Sequence, residues 1–470
     1  MTKQRLLSFQ TASKKVKSKK SADMPQKKKN SKQTKVSAER NGDKPQNAYF
    51  LSLELENVRC FGERQKIDFS DDNDKPKQWT IILGDNGTGK TTLLRCFIAM
   101  LPVPYSISEN RQVPFLFKEI DLTTIFLRKG QEPFRIWTKL SFSSFFEKNS
   151  NSESYGFEGG EYSCLSDRIT QNIKVNCFTY GATRKAGEVS ISEENEEDIY
   201  RNLFDESTLL VNPEEWLLQT DYASKRESEF KEKRNLELEL TKKILIKILP
   251  DIDDIRFGES ESSRTPKPIV EFHTPYGWVE SKDMSLGYRT SMAWIVDFAS
   301  RMFDRYSESE NPLAEPAVVL IDEIDLHLHP KWQRELIDYL TNLFPNTQFI
   351  VTTHSPLIVQ AAAARDANIV VCRREGDHVV IDQSIEAVRG WRADQILTSD
   401  LFDLPSTRDT ELEKQRREIL SKAKLTKADE KKLKTLSAEL DDLRVMENPE
   451  DDKAMNIIRR AAAHLQNGKN

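Results

Sequence analysis

The stretch Ile81-Ile82-Leu83-Gly84-Asp85-Asn86-Gly87-Thr88-Gly89-Lys90-Thr91-Thr92 decides the fold of this chain. It fits the pattern G-x-x-x-x-G-K-[ST] of a P-loop. The apolar residues before it predict a buried strand, and the apolar spacing after it predicts a helix. Glycines let backbone N–H groups wrap a polyphosphate, and the start of a helix adds a partial positive charge. The flanks favour a P-loop over a chance glycine-rich turn, so the stretch predicts a nucleoside triphosphate site.

The predicted nucleotide-binding residues run from the first glycine of this stretch to its last threonine: Gly84, Asp85, Asn86, Gly87, Thr88, Gly89, Lys90, Thr91 and Thr92. Lys90 is expected to reach the β- and γ-phosphates of ATP. The hydroxyl of Thr91 is expected to be a ligand of Mg²⁺. ATP and Mg²⁺ are therefore the expected cofactors.

The composition limits the class of protein. The chain has 470 residues, a formal net charge of −5 and five cysteines. Its length leaves room for one large domain or roughly two to three ordinary ones. No apolar run approaches the roughly 18–20 residues of a membrane span, and no apolar signal segment opens the chain. The cysteines lack C-x-x-C spacing, which argues against a disulfide framework or a zinc site. We expect a cytoplasmic protein with no membrane contact.

Residues 1–47 form a separate basic segment. They contain 14 lysines and arginines against 3 acidic residues and are almost free of aromatic residues. This composition predicts a disordered segment. It is either an arm that binds nucleic acid through its charge or a solvated tail that pairs with the acidic remainder of the chain. Both alternatives stay open.

A second motif follows the apolar run Ala317–Ile321, which predicts a buried strand. Two consecutive carboxylates, Asp322 and Glu323, come at its end, where ligands bind in open α/β sheets. Asp322 is expected to hold Mg²⁺, and Glu323 to orient and deprotonate the attacking water. A strand that ends in an acidic turn is common in α/β proteins, but beside a P-loop the functional interpretation is favoured.

A third strand is predicted at 348–352, and it ends in Thr353-His354-Ser355. His354 is expected to sense the γ-phosphate and to contribute to catalysis. The alternative is an incidental histidine at a capped helix start. The spacing from Glu323 allows one helix and a return to the neighbouring strand, which is the order of parts that the site needs.

Ser285 and Gly287 precede a helix predicted at 290–302. A serine and a glycine at a helix start form another region suited to an anion. Taken alone this is ordinary capping chemistry.

The order of these four motifs resembles the ATP-binding-cassette (ABC) type of ATPase, in particular its soluble RecF/SMC/overcoming-lysogenization-defect branch. Residues 57–61 (NVRCF) and 322–330 (DEIDLHLHP) are similar to segments of that branch, and the resemblance covers about residues 49–370. It implies an α/β fold of the P-loop NTPase type, with a mixed sheet flanked by helices. It also implies that Ser285 and Gly287 contact the γ-phosphate bound to another subunit, so that ATP joins two heads in a homodimer or higher oligomer.

The chain departs from the family pattern at two points. His329 stands where many cassettes carry an aspartate after the two carboxylates. The water-positioning glutamine is not assigned, and Gln112 and Gln171 are its candidates.

Three regions are expected along the chain. Residues 1–47 are the basic tail, 48–385 form the ATPase head with a helical insertion near 195–250, and 386–470 form a C-terminal helical interaction region. A leucine seam in the last region is made of Leu433, Leu436, Leu440 and Leu443. Internal packing of this seam is favoured over binding of a partner helix, because so short a seam rarely holds alone.

The whole chain is most similar to the stand-alone ATPases of bacterial anti-phage systems, of the Septu PtuA type, with the PARIS ATPase as a near relative. The segment after His354 is short for a metal-dependent nuclease domain. We therefore expect a slow ATPase that scaffolds and regulates a separate nuclease subunit, of the HNH type that works with PtuA. The alternatives are a RecF/SMC-like DNA repair ATPase and a nucleotide sensor that does not hydrolyse ATP.

Overall fold

A computed structural model of the chain describes residues 46–101, 135–141, 152–158, 161–164, 173–187, 198–260, 267–383, 388–402, 404, 414–415, 418–420 and 426–442. Almost all of the basic tail lies outside these residues. So do the candidates Gln112 and Gln171, and Leu443 of the leucine seam.

Sixteen strands lie in the described part of the chain. In order they are β1 (Gln46–Asn47), β2 (Tyr49–Glu56), β3 (Gln65–Asp68), β4 (Trp79–Gly84), β5 (Arg135–Ser141), β6 (Ser152–Glu158), β7 (Glu161–Cys164), β8 (Ile173–Lys174), β9 (Cys177–Tyr180), β10 (Asp254–Glu259), β11 (Pro268–Thr274), β12 (Gly277–Glu280), β13 (Ala317–Ile321), β14 (Thr347–Thr352), β15 (Asn368–Glu375) and β16 (His378–Asp382).

Nine α-helices lie in the same residues. They are α1 (Lys90–Ala99), α2 (Asp198–Arg201), α3 (Pro213–Lys225), α4 (Lys231–Ile248), α5 (Leu286–Arg305), α6 (Pro330–Leu343), α7 (Pro356–Ala363), α8 (Ala393–Leu397) and α9 (Lys427–Asp442). None of these described helices is long and apolar enough to cross a membrane.

A six-stranded sheet forms the centre of the fold, in the order β16-β15-β4-β14-β13-β9. Its five strands from β15 to β9 are parallel, and β16 is antiparallel to β15. Every residue of β13 and β14 is buried. Continuous apolar strands of this kind are typical of a parallel sheet that is covered on both faces.

The side chains of the central strands alternate between two cores. Val319 and Ile321 of β13 belong to one core, while Val318 and Leu320 belong to the other. The first core contains residues of the helices α3 to α7. The second core contains residues of α1 and of β2. The helix α1 after the P-loop therefore lies on one face of the central sheet, and the helices α3 to α7 lie on the other.

A five-stranded antiparallel sheet, β3-β2-β5-β6-β7, contributes to the second core. Gln348 of β14 links it to the central sheet. Its Oε1 accepts a hydrogen bond from the Phe50 N–H at 2.9 Å, and its Nε2 donates to the Phe50 carbonyl at 2.8 Å. Both bonds are buried, so one amide satisfies both main-chain groups of Phe50.

The helices α3 and α4 pack against each other and lead into a three-stranded antiparallel sheet, β10-β11-β12. Asn212 caps α3, since its side chain accepts from the N–H groups of Glu214 and Glu215. The helix after the serine–glycine turn begins earlier than predicted, at Leu286, because Ser285 takes the N-cap position.

The C-terminal part of the chain also contributes to the first core. Val388, Ile396 and Leu401 are buried there. A capping box begins α9: the Asp429 N–H donates to the Thr426 hydroxyl at 3.2 Å, and the Asp429 carboxylate accepts from the Thr426 N–H at 3.0 Å. Leu436 of the leucine seam is buried.

We expect Gln348→Leu to lower the free energy of unfolding by about 2–4 kcal/mol. The substitution keeps the size of the side chain but leaves the buried N–H and C=O of Phe50 without partners, at roughly 1–3 kcal/mol each. Gln219→Leu is the control, since Gln219 is exposed on α3 and bonds only to Glu215 there. Gln219→Leu should change the free energy of unfolding by less than about 0.5 kcal/mol. Urea unfolding measures the free energy of unfolding of both variants. Equal losses of stability in the two variants would contradict the linking role of Gln348.

Candidate nucleotide-binding site

Four parallel strands of the central sheet end at the same edge. The register pairs Ile321 of β13 with Val351 of β14 and with Tyr180 of β9. It also pairs Thr352 of β14 with Ile82 of β4. The segments that follow these strands are the P-loop, the two carboxylates, the Thr-His-Ser segment and the loop after Tyr180. They meet where ligands bind in open α/β sheets.

The P-loop glycines are required by backbone conformation and by close neighbours. Gly84 and Gly89 have φ angles of 144° and 84°. A Cβ on Gly84 would lie 2.5 Å from the Cys372 carbonyl oxygen. A Cβ on Gly89 would lie 2.4 Å from the Cys60 sulfur. Gly89 caps α1, whose first turn has no acidic residue, so the helix start favours an anion.

Lys90 is buried inside the loop that it closes. Its Nζ donates to the carbonyl oxygens of Gly84 and Asp85, at 2.8 and 3.0 Å. Burial lowers the pKa of Lys90, and the charge of Asp322 is the largest opposing influence. The ammonium thus lies within the P-loop, where a phosphate would bind.

Asp322 is held at both of its carboxylate oxygens. The Thr91 hydroxyl donates to Oδ2 at 2.6 Å, and the Thr352 hydroxyl donates to Oδ1 at 2.5 Å. The hydroxyl and the carboxylate predicted to bind Mg²⁺ are therefore in direct contact. Oxygen donors of this type are the ones that Mg²⁺ prefers, so the residues fit the ion.

Glu323 has its main chain fixed from two sides. Its N–H donates to the Thr352 hydroxyl at 2.7 Å, and its carbonyl accepts from Nη2 of Arg184 at 2.5 Å. Its φ of 50° lies in the left-handed region. Glu323 is half-buried, so the residue lies neither in the core nor fully in solvent. Such an environment suits a general base.

His354 is exposed at the end of β14. Its N–H donates to Oδ1 of Asp325 at 3.3 Å, and the Thr353 hydroxyl donates to the same oxygen. Gln333 of α6 joins the two segments further, because it accepts from the Ser355 hydroxyl and donates to the Leu328 carbonyl. The segment that carries His354 is therefore tied to the segment that follows Glu323.

Ser285 is exposed at the start of α5, and its side chain forms no capping bond there. Gly287 lies against the segment after Glu323, since a Cβ at Gly287 would be 2.4 Å from the His327 carbonyl oxygen. Among the described residues, no hydrogen bond joins Ser285 to the P-loop. His329 caps α6, its side chain accepting from the Lys331 N–H.

The structure thus brings together Lys90, Thr91, Asp322 and Glu323 at one edge, with His354 nearby on the neighbouring strand. The roles of Thr352, Asp325, Gln333 and Arg184 were missed by the sequence analysis. Polar residues directly after a buried strand, or at its last position, are the signal that could have indicated Thr352 and Arg184.

Residues 80–360 match the family model described as "AAA domain, putative AbiEii toxin, Type IV TA system". The chain belongs to this family. The match contains the P-loop, both carboxylates, the Ser285 turn and His354. The predicted ABC-type family membership is therefore confirmed, together with the α/β fold of a mixed sheet flanked by helices.

Among curated proteins, the chain is similar to the Septu protein PtuA of Bacillus mycoides (strain KBAB4). The two are 28% identical over 366 residues, which are 76% of this chain and 45% of that protein. The retron Vc95 probable ATPase of Vibrio cholerae serotype O1 biovar El Tor is 39% identical over 120 residues, 26% of this chain and 22% of the relative. The chain thus spans less than half the length of these relatives. The expected likeness to anti-phage ATPases of the Septu PtuA type is confirmed.

Solved structures with a similar fold include the SMC head bound to the C-winged helix domain of ScpA. That likeness has a TM-score of 0.40 and 18% identity, and it covers 72% of this chain and 99% of the other. The recombination mediator RecF gives a TM-score of 0.35 and 12% identity, over 72% of this chain and 98% of the other.

We expect Thr352→Val to lower the free energy of unfolding by about 1–3 kcal/mol and to weaken the binding of Mg-ATP. Valine keeps the shape but removes the hydroxyl that holds Asp322 and Glu323. Thr347→Val is a matched control on the same strand. Thr347 is also fully buried, but its hydroxyl has no partner among the described residues. Its removal should be neutral or stabilising.

Urea unfolding and titration with a fluorescent ATP analogue measure the two effects. Loss of stability and of affinity in Thr347→Val, with none in Thr352→Val, would contradict the assignment of the Thr352 hydroxyl.

Proposed function

We propose that this protein is an ATP-binding and hydrolysing ABC-type ATPase of a bacterial anti-phage defence system. In this proposal it forms head-to-head oligomers in the cytoplasm that scaffold and regulate a separate nuclease. The observation that carries the ATPase part is the contact between the P-loop hydroxyl of Thr91 and the Asp322 carboxylate, with Glu323 next in the chain. The family match and the similarity to PtuA support it.

The site residues would act by holding the triphosphate and by moving one proton. The backbone N–H groups of residues 84–92 and the Lys90 ammonium would bind the phosphates. Thr91 and Asp322 would hold Mg²⁺, which when bound neutralises charge that develops on the phosphates. The Glu323 carboxylate would orient the attacking water and accept its proton. His354 would donate to the γ-phosphate.

The oligomer would be joined through the serine–glycine turn. Ser285 is exposed and does not cap its own helix, and Leu286 beside it is 56% exposed. A hydroxyl and a helix start presented in this way suit an anion that belongs to another molecule. In the proposal, Ser285 and Gly287 of one copy close over the triphosphate in the P-loop of its neighbour.

The nuclease subunit would be a separate protein, with an HNH nuclease as the expected type. The similarity to PtuA and to the retron ATPases supports a place in defence against phage. The basic tail of residues 1–47 would add an affinity for nucleic acid that falls as salt rises. Residues 48–385 would form the head, with its helical insertion near 195–250, and residues 386–470 an interaction region.

We expect Glu323→Gln to reduce ATP turnover by about 10²–10⁴-fold, because the amide cannot accept the proton of water. ATP affinity should change little. In cells that carry this gene together with the gene of the proposed nuclease subunit, phage protection should be lost while the protein assembly remains intact.

The control for Glu323→Gln is Glu335→Gln on the helix α6, where Glu335 accepts from the Tyr339 hydroxyl and has no other hydrogen bond within the described part of the chain. Unchanged protection with lost turnover would favour the nucleotide sensor. Phage protection that does not need the nuclease gene would contradict the proposed scaffold. A DNA repair defect in Glu323→Gln, in place of lost phage protection, would favour the repair ATPase.

We expect a mixture of Lys90→Ala and Ser285→Arg proteins to regain ATP turnover that neither has alone. If a site takes Lys90 from one copy and Ser285 from the next, random pairing leaves about a quarter of the sites intact. Turnover of the equimolar mixture should therefore approach about a quarter of the wild-type value. No recovery in a mixture whose chains are shown to exchange would overturn the arrangement between copies.

A further inference from the structure

Arg184 is a buried arginine near the carboxylates to which the proposed function assigns no part in ATP hydrolysis. It follows β9 and is only 5% exposed. It forms no ion pair within 4.0 Å among the described residues, and its Nε is buried there without a hydrogen-bond partner. Burying an arginine without an ion pair costs free energy of folding, so its presence here calls for an explanation.

Among the described residues, the guanidinium makes one hydrogen bond, and it goes to the main chain of Glu323. Nη2 donates to the Glu323 carbonyl oxygen at 2.5 Å. Burial lowers the pKa of Arg184 to about 10, and the charges of Asp322, Asp325 and Glu323 oppose this. Arg184 therefore remains a cation at neutral pH, attracted by the charges of these three carboxylates.

The loop that carries Arg184 is anchored on the sheet. The Asn202 side chain donates to the Thr179 carbonyl at 2.6 Å and accepts from the Gly181 N–H at 3.0 Å. The Tyr180 carbonyl accepts from the Asp322 N–H at 2.8 Å. The guanidinium therefore extends from a fixed base toward the segment that contains Glu323.

Both partners of this bond have left-handed backbones. The φ angle is 34° at Arg184 and 50° at Glu323. This backbone conformation is strained in non-glycine residues and persists only where the surroundings hold it. On the other side of Glu323, the Thr352 hydroxyl accepts from its N–H. Arg184 and Thr352 thus fix the two main-chain groups of one strained residue.

We propose that Arg184 is a positioning residue for ATP hydrolysis, which holds the Glu323 main chain so that its carboxylate is aimed at the attacking water. The inference rests on the proposed function, since it needs Glu323 as the general base. It assigns to Arg184 no contact with ATP. Loss of the guanidinium should therefore slow the chemical step and leave nucleotide binding almost unchanged.

Hydrogen exchange tests the positioning without any need for turnover. Arg184→Gln should increase deuterium uptake at residues 323–329, while Arg184→Lys should give a smaller increase because the ammonium can still donate. Arg301→Gln is the control for loss of a buried arginine, since Arg301 pairs with the buried Asp297 on α5. It should leave exchange at 323–329 unchanged. No increase in Arg184→Gln would overturn the proposal.

Steady-state kinetics test the consequence for catalysis. Arg184→Gln should lower kcat by about tenfold to a hundredfold, with KM and the ATP dissociation constant changed less than about threefold. Guanidinium added to Arg184→Ala should restore part of kcat, which a general loss of folding would not allow. Equal losses in kcat and in ATP affinity would overturn the proposal.

The two tests separate this inference from the proposed function. If wild-type protein binds ATP but has no turnover, the proposed hydrolysis fails, and hydrogen exchange alone decides whether Arg184 holds the segment. If wild-type turnover is normal and Arg184→Gln has the wild-type kcat, the inference fails and the proposed function stands.

Discussion

The Asp322 carboxylate, shared between two threonine hydroxyls, is the interaction on which the site depends. Thr91 belongs to the helix after the P-loop, and Thr352 ends the neighbouring strand β14. One carboxylate therefore sets the distance between three chain segments that are far apart in sequence. The same Thr352 hydroxyl accepts a hydrogen bond from the Glu323 N–H, so a single side chain orients both acidic residues. Hydrogen bonds to charged groups of this kind are among the stronger ones in proteins.

The central sheet gives these contacts a firm base because both of its faces are covered. The helix α1 lies on one core, and α5, which begins directly after Ser285, lies on the other. Tyr180 connects the edge of the sheet to α5: its carbonyl accepts from Asp322, and its hydroxyl donates to Asp297 at 2.9 Å. The Ser285 turn and the nucleotide site are thus joined through one buried aromatic residue of β9.

Local sequence patterns predicted the strands and loops of the site. They did not predict the contacts between residues that are far apart in sequence. The P-loop and the strand Ala317–Ile321 carry strong signals, because glycine placement and unbroken apolar runs depend on nearby residues. The bond from Arg184 to Glu323 spans 139 positions, and that from Thr352 to Asp322 spans 30. Such partners depend on strand order, which periodicity does not contain. The start of α5 differed because Ser285 was not placed at its cap.

The close packing of neighbouring residues around the P-loop glycines affects the affinity for an anion. The Cys372 carbonyl lies against Gly84, and Cys60 and Phe61 lie against Gly89. The loop is therefore shaped by its own protein neighbours before any anion arrives. A pre-organised cradle loses little conformational entropy on association, so more of the interaction energy with an incoming triphosphate appears as affinity.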